Sequence, residues 1–406
     1  MLSKLSGLLF PHRGPRRVIA IGDSVTQNDS SQGGSGLWTE GNGYFETSLR
    51  MLGQFLPGGL IFVRNAGIGG NTTSEMLARV DTDVIAYKPD LVFVMAGTND
   101  ILPGATDADY AAFFSTLEKL VVRLLLSGAD VVLSTCPTKD AAPAEVAKAI
   151  PWYYLLANHY GIPLVDAHRV TADPVTGQYL SGYSDDGTHP NQTGIAAIAE
   201  QVVATVGGTN GLSSGNVYRS VVAAAEQGDL QNLIQNGVFV NETVPGSLDY
   251  WSVNTSGATF TPDTVPGVAG KMFDYKKTAA GGAYALYGAE IDTGYADGDT
   301  LVFSGLFGVS GLPSPADGFT FLMQFDGGDS FRPINNHMSD VPYPGAAAGS
   351  YMAFSQEIVV PATYGAMGLI PQLYVQDVGE YVVGELTLWN KTAYEAIWKP
   401  GALLNS

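Results

Sequence analysis

The sequence has too few cysteines and too few long apolar runs for several classes of protein. Its 406 residues include a single cysteine, Cys136, so no intrachain disulfide and no cysteine-based zinc site can form. No apolar run approaches the roughly 20 residues of a membrane-spanning helix. The first 17 residues hold a short apolar stretch and three arginines, which is a poor secretion signal. We therefore expect no membrane span and no standard leader.

Positive charge is also scarce. The chain has 20 lysine and arginine residues against 39 aspartate and glutamate residues, which gives a formal net charge of −19. Because an acidic chain disfavours a broad basic surface, nucleic acid is not an expected partner. Hydrophobic residues make up 45% of the chain, which is ample for cores. A neutral substrate is compatible with this charge.

Two different patterns divide the chain. Between residues 17 and 205, short apolar runs alternate with helix-like segments, as in parallel strands that are buried on both faces of a sheet. The strand-like runs are 17–22, 60–67, 90–97, 130–136 and 162–167. The clearest helices are 107–128 and 143–161, the second broken or kinked at Pro151. This alternation predicts an open α/β sheet, whose sites form beyond the carboxyl ends of its strands.

The pattern of the second half of the chain predicts β structure. Residues 207–231 begin as a linker rich in glycine, serine and asparagine, and a short helix is compatible with their end. From residue 232, short alternating runs such as 237–242 are split by glycine, proline and aspartate, which predicts an antiparallel β-sandwich of the jelly-roll type. We thus expect a first domain over 1–206, a linker over 207–231 and a β-sandwich over 232–406.

Four short polar stretches follow apolar runs or close the first domain. "GDS" (22–24) ends the first run, "NAGIGGNTT" (65–73) the second and "AGTND" (96–100) the third. The fourth, "DDGTHPNQTG" (185–194), precedes a helical pattern. Since parallel strands end at one edge of a sheet, the first three stretches should meet there, and the fourth can fold back over that edge.

Together these stretches contain the residue types of nucleophilic catalysis. Ser24 is a candidate nucleophile, and His189 is the candidate base that would remove its proton. Asp186 lies three residues before the histidine and can orient its ring, with Asp185 as a less well-spaced rival. An oxyanion needs donors, and Gly70 N–H, the Asn99 side chain and Ser24 N–H are available. Alternatively, Ser24 is a simple turn residue and Asn99 a helix N-cap.

The ordered set of motifs resembles one family. The only G-x-S-x-G match is 211–215, which lies in the predicted linker and not after a strand-like run, so a standard α/β-hydrolase is disfavoured. Gly22-Asp23-Ser24, Gly70, Asn99, and Asp186 with His189 stand in the order of the SGNH hydrolases, also called GDSL-type esterases. The resemblance covers about residues 15–206, and Val25 departs from the leucine of the family name. It implies a flavodoxin-like three-layer α/β/α fold and ester hydrolysis without a metal or other cofactor.

The substrate is expected to be an acylated carbohydrate. A jelly-roll beside such a domain resembles carbohydrate-binding modules, with its tyrosines and Trp389 available to stack on sugars, although such aromatics are more often core. The long polar loop at 28–44, with Trp38 and Tyr44, suits an acetylated sugar better than a long acyl chain. We therefore expect a carbohydrate O-acetylesterase. The alternatives are a lipase or thioesterase, and an inactive glycan-binding protein.

The expected location is outside a cell or on a virion. The lack of a leader, the acidic charge and the glycine-rich β region together resemble phage tail-fibre or tailspike enzymes that act on surface polysaccharide. A phage tail protein of this kind would be a homotrimer. An exported bacterial esterase is also compatible with the sequence.

Overall fold

The structure is a computed structural model that describes most of the chain. The described residues are 15–27, 43–53, 59–207, 216–219, 232–245, 247–256, 258–264, 268–310, 319–325, 330–336, 352–364 and 367–401. The chain forms two compact units. The first unit comprises residues 1–210 and 396–406, and the second comprises residues 211–395.

The first unit alternates strands and helices. In chain order they are β1 (Arg16–Gly22), α1 (Ser24–Gln27), α2 (Tyr44–Leu52), β2 (Leu60–Gly67), α3 (Thr73–Asp83), β3 (Leu91–Met95), α4 (Asp107–Leu126), β4 (Asp130–Ser134), α5 (Pro143–Tyr160), β5 (Leu164–Val165), α6 (Ala167–Thr171) and α7 (Gln192–Val206). All five predicted strands are present, and β2 has the predicted bounds. The helix predicted to break or kink at Pro151 runs through that residue as α5.

The five strands form one parallel sheet in the order β2-β1-β3-β4-β5. Residues 18–21 of β1 and all of β3 are apolar and buried, as the continuous runs predicted. Because β1 lies between β2 and β3, the three segments that follow these strands start side by side at one edge. This parallel sheet with flanking helices confirms the predicted α/β/α fold class.

The end of the chain belongs to the first unit. Trp398 packs against Phe114 of α4, with 5.4 Å between ring centroids. Gly401 N–H donates to the carboxylate of Glu118, which is buried on the same helix, at 2.6 Å. Residues 396–401 thus lie with the first unit, whereas the expected β-sandwich range was 232–406.

The second unit is built from antiparallel strands. They are β6 (Trp251–Val253), β7 (Ala258–Asp263), β8 (Met272–Lys277), β9 (Ala283–Gly288), β10 (Thr300–Ser310), β11 (Phe319–Phe325), β12 (Ser330–Asn336), β13 (Met352–Val359), β14 (Leu369–Val375) and β15 (Gly379–Asn390), followed by α8 (Lys391–Ile397). Two five-stranded sheets result, in the orders β13-β10-β15-β8-β7 and β12-β11-β14-β9-β6. Residues of both sheets share one hydrophobic core, for example Phe303 and Leu373. The predicted β-sandwich is thereby confirmed.

One detail of this unit differs from expectation, and one alternative that the sequence left open is decided. Residues 237–242, predicted as a strand, form a turn followed by irregular chain, and Asn236 and Phe239 have φ angles of 52° and 53°. The Asn236 side chain accepts hydrogen bonds from the N–H groups of Val240 and Asn241, at 2.9 and 3.0 Å, and so competes with strand pairing. Trp389 is 4% exposed and packs against Tyr394, so it is a core residue.

Candidate active site

The candidate nucleophile stands at the carboxyl end of β1. The strand ends at Gly22, and Ser24 opens the short helix α1, where its side chain is half-buried. Val25 N–H donates to the buried carboxylate of Asp23 at 2.9 Å, which holds the turn between strand and helix. Ser24 therefore lies at the turn between β1 and α1, at the edge where the first three polar stretches meet.

The predicted base and acid lie in line with this serine. Ser24 Oγ is 2.9 Å from Nε2 of His189, and Nδ1 of the same ring is 2.8 Å from Oδ2 of Asp186. The histidine comes from the loop between α6 and α7. In that loop Ser184 Oγ donates to the carbonyl of His189 at 2.6 Å, which fixes the backbone beside the ring.

Asp186 is held in its ionised form. Partial burial acts to raise its pKa, but the His189 side chain and the N–H groups of His189 and Thr188 outweigh this and lower the pKa to about 2. An ionised carboxylate only accepts hydrogen bonds, so Nδ1 of His189 carries a proton. In the neutral ring Nε2 then has its lone pair towards the serine hydroxyl, as a general base requires.

The loops that follow β2 and β3 are tied to each other and to α1. Asn99 donates one N–H of its side-chain amide to the carbonyl of Asn71 at 3.0 Å. Gly69 N–H donates to Oε1 of Gln27 at 2.5 Å, and a Cβ built on Gly69 would lie 3.8 Å from Cβ of Ser24. Gly70 follows, is exposed, and has a φ of 79°, which favours glycine. The structure thus brings all four motif segments to one edge of the sheet.

Arg79 was missed by the sequence reasoning. From α3, its guanidinium donates to the carbonyls of Gly22 and Ala66, at 3.1 and 2.7 Å, and to Oδ1 of Asn71 at 2.8 Å. One side chain therefore joins the ends of β1 and β2 to the loop that contains Gly70. No local sequence signal distinguishes this arginine from a surface residue of an amphipathic helix.

The two aromatic residues proposed for substrate binding have different outcomes. Tyr44 is 2% exposed, and its hydroxyl is 3.2 Å from Oγ1 of Thr26. It lies in the core under α1, so its surface is not open to a substrate, contrary to the expectation. Trp38 lies outside the described residues.

Asp23 is a buried acid directly beside the nucleophile. It is 0% exposed, and the side chain of Thr98 is close enough to act on its pKa. Burial raises the pKa of Asp23 to about 6, against the lowering effect of the Val25 N–H. The carboxyl is therefore partly neutral in mildly acidic solution.

This pKa predicts how stability depends on pH. The pKa of Asp23 rises from an ordinary 3.8 to about 6 on folding, so between those values the folded protein holds a proton that the unfolded chain has released. Its contribution to stability is present below about pH 4 and is lost as the pH rises through about 6, at a cost of about 3 kcal/mol. Asp23→Asn should therefore raise the melting temperature, relative to the parent, more at about pH 7.5 than at about pH 4.

Thermal unfolding of both proteins across this pH range measures the effect. Groups common to the two proteins largely cancel in the difference, and the asparagine oxygen can still accept the Val25 N–H. A difference in melting temperature that does not change with pH would contradict the buried-acid interpretation.

Among the described residues, no group of three or more histidine, cysteine, aspartate or glutamate side chains is placed to hold a metal ion. Among the helices in the same part of the chain, none is both long and apolar enough to cross a membrane.

Comparison with known proteins gives a family match. Residues 20–197 match the family model described as "GDSL-like Lipase/Acylhydrolase family". The matched span contains Ser24, Gly70, Asn99, Asp186 and His189. It lies within the first unit.

Individual relatives match part of the chain. An acetylxylan esterase of Geobacillus stearothermophilus is 38% identical over 87 residues, which is 21% of this chain and 40% of the relative. An uncharacterized lipoprotein of Bacillus subtilis strain 168 is 35% identical over 81 residues, or 19% of this chain and 33% of the relative. The chain thus spans less than half the length of these two relatives. A solved alpha/beta hydrolase from the metagenome of Lake Arreo, Spain, is 28% identical, with 50% of this chain and 100% of that chain covered and a TM-score of 0.40.

Proposed function

We propose that this chain, whose residues 20–197 match the GDSL-like lipase/acylhydrolase model, is a serine esterase that removes acyl groups, chiefly O-acetyl groups, from a carbohydrate. The observation that carries the proposal is the continuous hydrogen-bonded chain from Ser24 through the imidazole of His189 to Asp186. A buried structural serine needs no such base, and a surface histidine needs no such acid. The arrangement is that of an activated nucleophile.

The proposed reaction has two steps. Ser24 Oγ attacks the ester carbonyl while Nε2 of His189 takes its proton, and Asp186 stabilises the imidazolium that forms. The alkoxide of the sugar leaves with that proton, and the acyl group stays on the serine. Water, deprotonated by the same histidine, then releases the acid and restores the hydroxyl.

Gly70, Asn99 and Ser24 are the proposed oxyanion donors. Gly70 and Ser24 each offer a backbone N–H. The Asn99 amide has two N–H groups and uses one on Asn71, so the other is available. These groups come from three segments that start at the ends of adjacent strands, where an oxyanion beside Ser24 would form.

Asn99→Ala tests this role. Loss of one oxyanion donor typically lowers the rate about 10²-fold or more, so we expect kcat for p-nitrophenyl acetate to fall by about 10² with little change in KM. Steady-state kinetics of the purified variant measures it. An unchanged kcat, or a rise in KM alone, would assign Asn99 to loop structure or ground-state binding instead.

An acetylated carbohydrate is the proposed substrate. The similarity to an acetylxylan esterase supports this choice, although the match spans 40% of that relative. The competing proposal is a lipase or thioesterase, which binds long acyl chains. The two differ in how the rate depends on acyl length.

A series of p-nitrophenyl esters from acetate to octanoate separates these proposals. We expect kcat/KM to be highest for acetate and to fall by about tenfold or more as the chain lengthens, because an acetyl-sized site excludes added methylenes. A rise with acyl length would favour the lipase. Acetate release from acetylated xylan, mannan and pectin would then identify the polysaccharide.

The wider setting of the protein is also a proposal. We propose an extracellular or surface location, which a lipoprotein-named relative supports. The jelly-roll topology and carbohydrate-binding role of the β-sandwich remain predictions, as do its domain bounds. None of the relatives named above is described as a phage protein, so the tail-protein interpretation and its homotrimer gain no support from them.

A further inference from the structure

Three tyrosines lie together on the outer face of one sheet in the second unit. Tyr284 and Tyr287 of β9 are 47% and 41% exposed, and Tyr374 of the neighbouring β14 is half-buried. We call this set the tyrosine face. Its described neighbours on the same side of the sheet include Ser252, Gln324, Ile370 and Gln372.

A β-bulge creates this face. In a regular strand Tyr284 and Tyr287, three residues apart, would point to opposite faces. In β9 the register shifts, so that Tyr287 pairs with Gln372 and Tyr284 pairs with Tyr374, while Ala285 has no partner in the ladder. Ala285 and Leu286 both enter the core, and both tyrosines point outward. Bulges of this kind redirect side chains next to functional sites.

Neighbouring residues fix the positions of the rings. Tyr284 and Tyr374 meet edge to face, with centroids 5.1 Å apart. A Cβ on Gly282 would overlap the Tyr374 hydroxyl, so this glycine makes room for the ring. The exposed Ser252 pairs with Tyr287 on its other side and leaves that flank open.

A polar amide lies within the same face. Gln372 is 1% exposed and donates to Oε1 of Gln324 at 3.0 Å, while its own Oε1 is buried without a partner. An unpartnered buried carbonyl costs stability unless another group satisfies it.

Charge and size indicate the occupant. Every described side chain of the face is uncharged, although the chain carries a net charge of −19, so a charged partner gains nothing there. Tyr284 and Tyr287 together expose about 200 Å², well below the roughly 800 Å² per partner of a stable protein interface. Phenol rings present flat apolar surfaces, and amides and hydroxyls offer hydrogen bonds. Sugar rings, with apolar faces and hydroxyl edges, complement both.

We propose that the tyrosine face binds a neutral saccharide of a few sugar units, by stacking on Tyr284 and Tyr287. This site rests on the proposed function in one respect, since it would hold the carbohydrate that the first unit deacylates. Tethering a second binding site to an esterase raises the effective concentration of a polymeric substrate. The face would contribute nothing to the hydrolysis of a small ester.

Affinity gel electrophoresis of the full chain tests the site. The probes are arabinoxylan, barley β-glucan and galactomannan, with polygalacturonate as a charged control, and the Ser24→Ala background prevents hydrolysis. We expect retardation by at least one neutral polymer. In Tyr284→Ala/Tyr287→Ala the apparent Kd should rise by about tenfold or more, while Tyr284→Phe/Tyr287→Phe should keep most of the affinity.

The matched control is Tyr87→Ala. That tyrosine is 40% exposed in the first unit, beside the amino-terminal end of β1, and its loss should leave retardation unchanged. Thermal unfolding would show that the double alanine variant is folded. Without the serine change, that variant should hydrolyse p-nitrophenyl acetate at the parental rate and release acetate more slowly from acetylated polymer.

Three outcomes would overturn the site. They are absence of retardation by every neutral polymer, equal retardation of the parent and the double alanine variant, and a parental dimer that becomes monomeric in that variant without polysaccharide binding. Failure of the proposed function would give a different result. A parent that releases no acetate, while its tyrosine face still binds sugar, would contradict the esterase proposal and leave the binding site standing.

Discussion

Ser24→Ala should lower kcat for ester hydrolysis by at least about 10⁴-fold, the largest effect expected of any single change in this protein. The hydroxyl 2.9 Å from Nε2 of His189 is the group that forms the covalent bond, and alanine offers the base no proton to remove. The proposed donors at Gly70 and Asn99 would remain. A residual rate above that of water is therefore expected from the polarised carbonyl and an untethered water molecule.

Ser74→Ala is the control for this substitution. Ser74 is an exposed serine in the first turn of α3, and its replacement should change kcat by less than about twofold. A serine-directed phosphonate gives a second readout. It should inactivate the parent with one adduct on the peptide that contains Ser24, and should leave the Ser24→Ala protein unlabelled. Equal rates for parent and Ser24→Ala would favour the inactive glycan-binding alternative.

The edge at which the site forms was predictable from short-range patterns. Runs such as 91–95 are apolar throughout, which marks parallel strands buried on both faces, and such strands place their carboxyl ends together. The polar residue types at those ends then specify the chemistry. Spacing alone favoured Asp186 over Asp185, and the structure shows Asp185 accepting from Asn191 instead of from the histidine.

Contacts between residues far apart in sequence were not predictable. Arg79 reaches the carbonyls of Gly22 and Ala66 only after the sheet has formed, and its helix pattern is the same as that of an ordinary surface arginine. Trp398 packs on Phe114, 284 positions earlier, so the return of the chain end to the first unit leaves no local trace. Long-range closure of this kind depends on packing and not on periodicity.

The second unit shows the same limit on a smaller scale. Alternating patterns predicted the β-sandwich, because a half-buried strand repeats every two residues. The bulge at Ala285 breaks that repeat, and no turn-forming residue at this position indicates the bulge in the sequence. The sequence therefore could not show that Tyr284 and Tyr287 share a face.

Asp186→Asn should lower kcat by about 10³-fold, the second largest effect expected. Oδ1 of Asp186 accepts two backbone N–H groups, from Thr188 and His189, while Oδ2 accepts the imidazole proton. An asparagine has a single oxygen. If that oxygen accepts the two backbone N–H groups, the amide N–H₂ faces Nδ1 of His189. The ring proton must then sit on Nε2, which can no longer accept from Ser24. If the oxygen accepts from the ring instead, the two backbone N–H groups lose their acceptor and the loop shifts.

Asp185→Asn is the matched control, because it replaces the adjacent carboxylate with an amide in the same way. It should alter kcat by less than about twofold. The Asp186 side chain is 53% exposed, so water can replace part of its interaction with the ring, and the expected loss is smaller than that of Ser24→Ala. Kinetics of both variants on p-nitrophenyl acetate, with phosphonate labelling of Ser24, separates the roles. Slow labelling in Asp186→Asn together with normal labelling in Asp185→Asn is expected, because only the first change stops Nε2 of His189 from accepting the proton of Ser24. Similar losses in the two variants would mean that charge near the loop, and not orientation of the imidazole by Asp186, sets the reactivity of the serine.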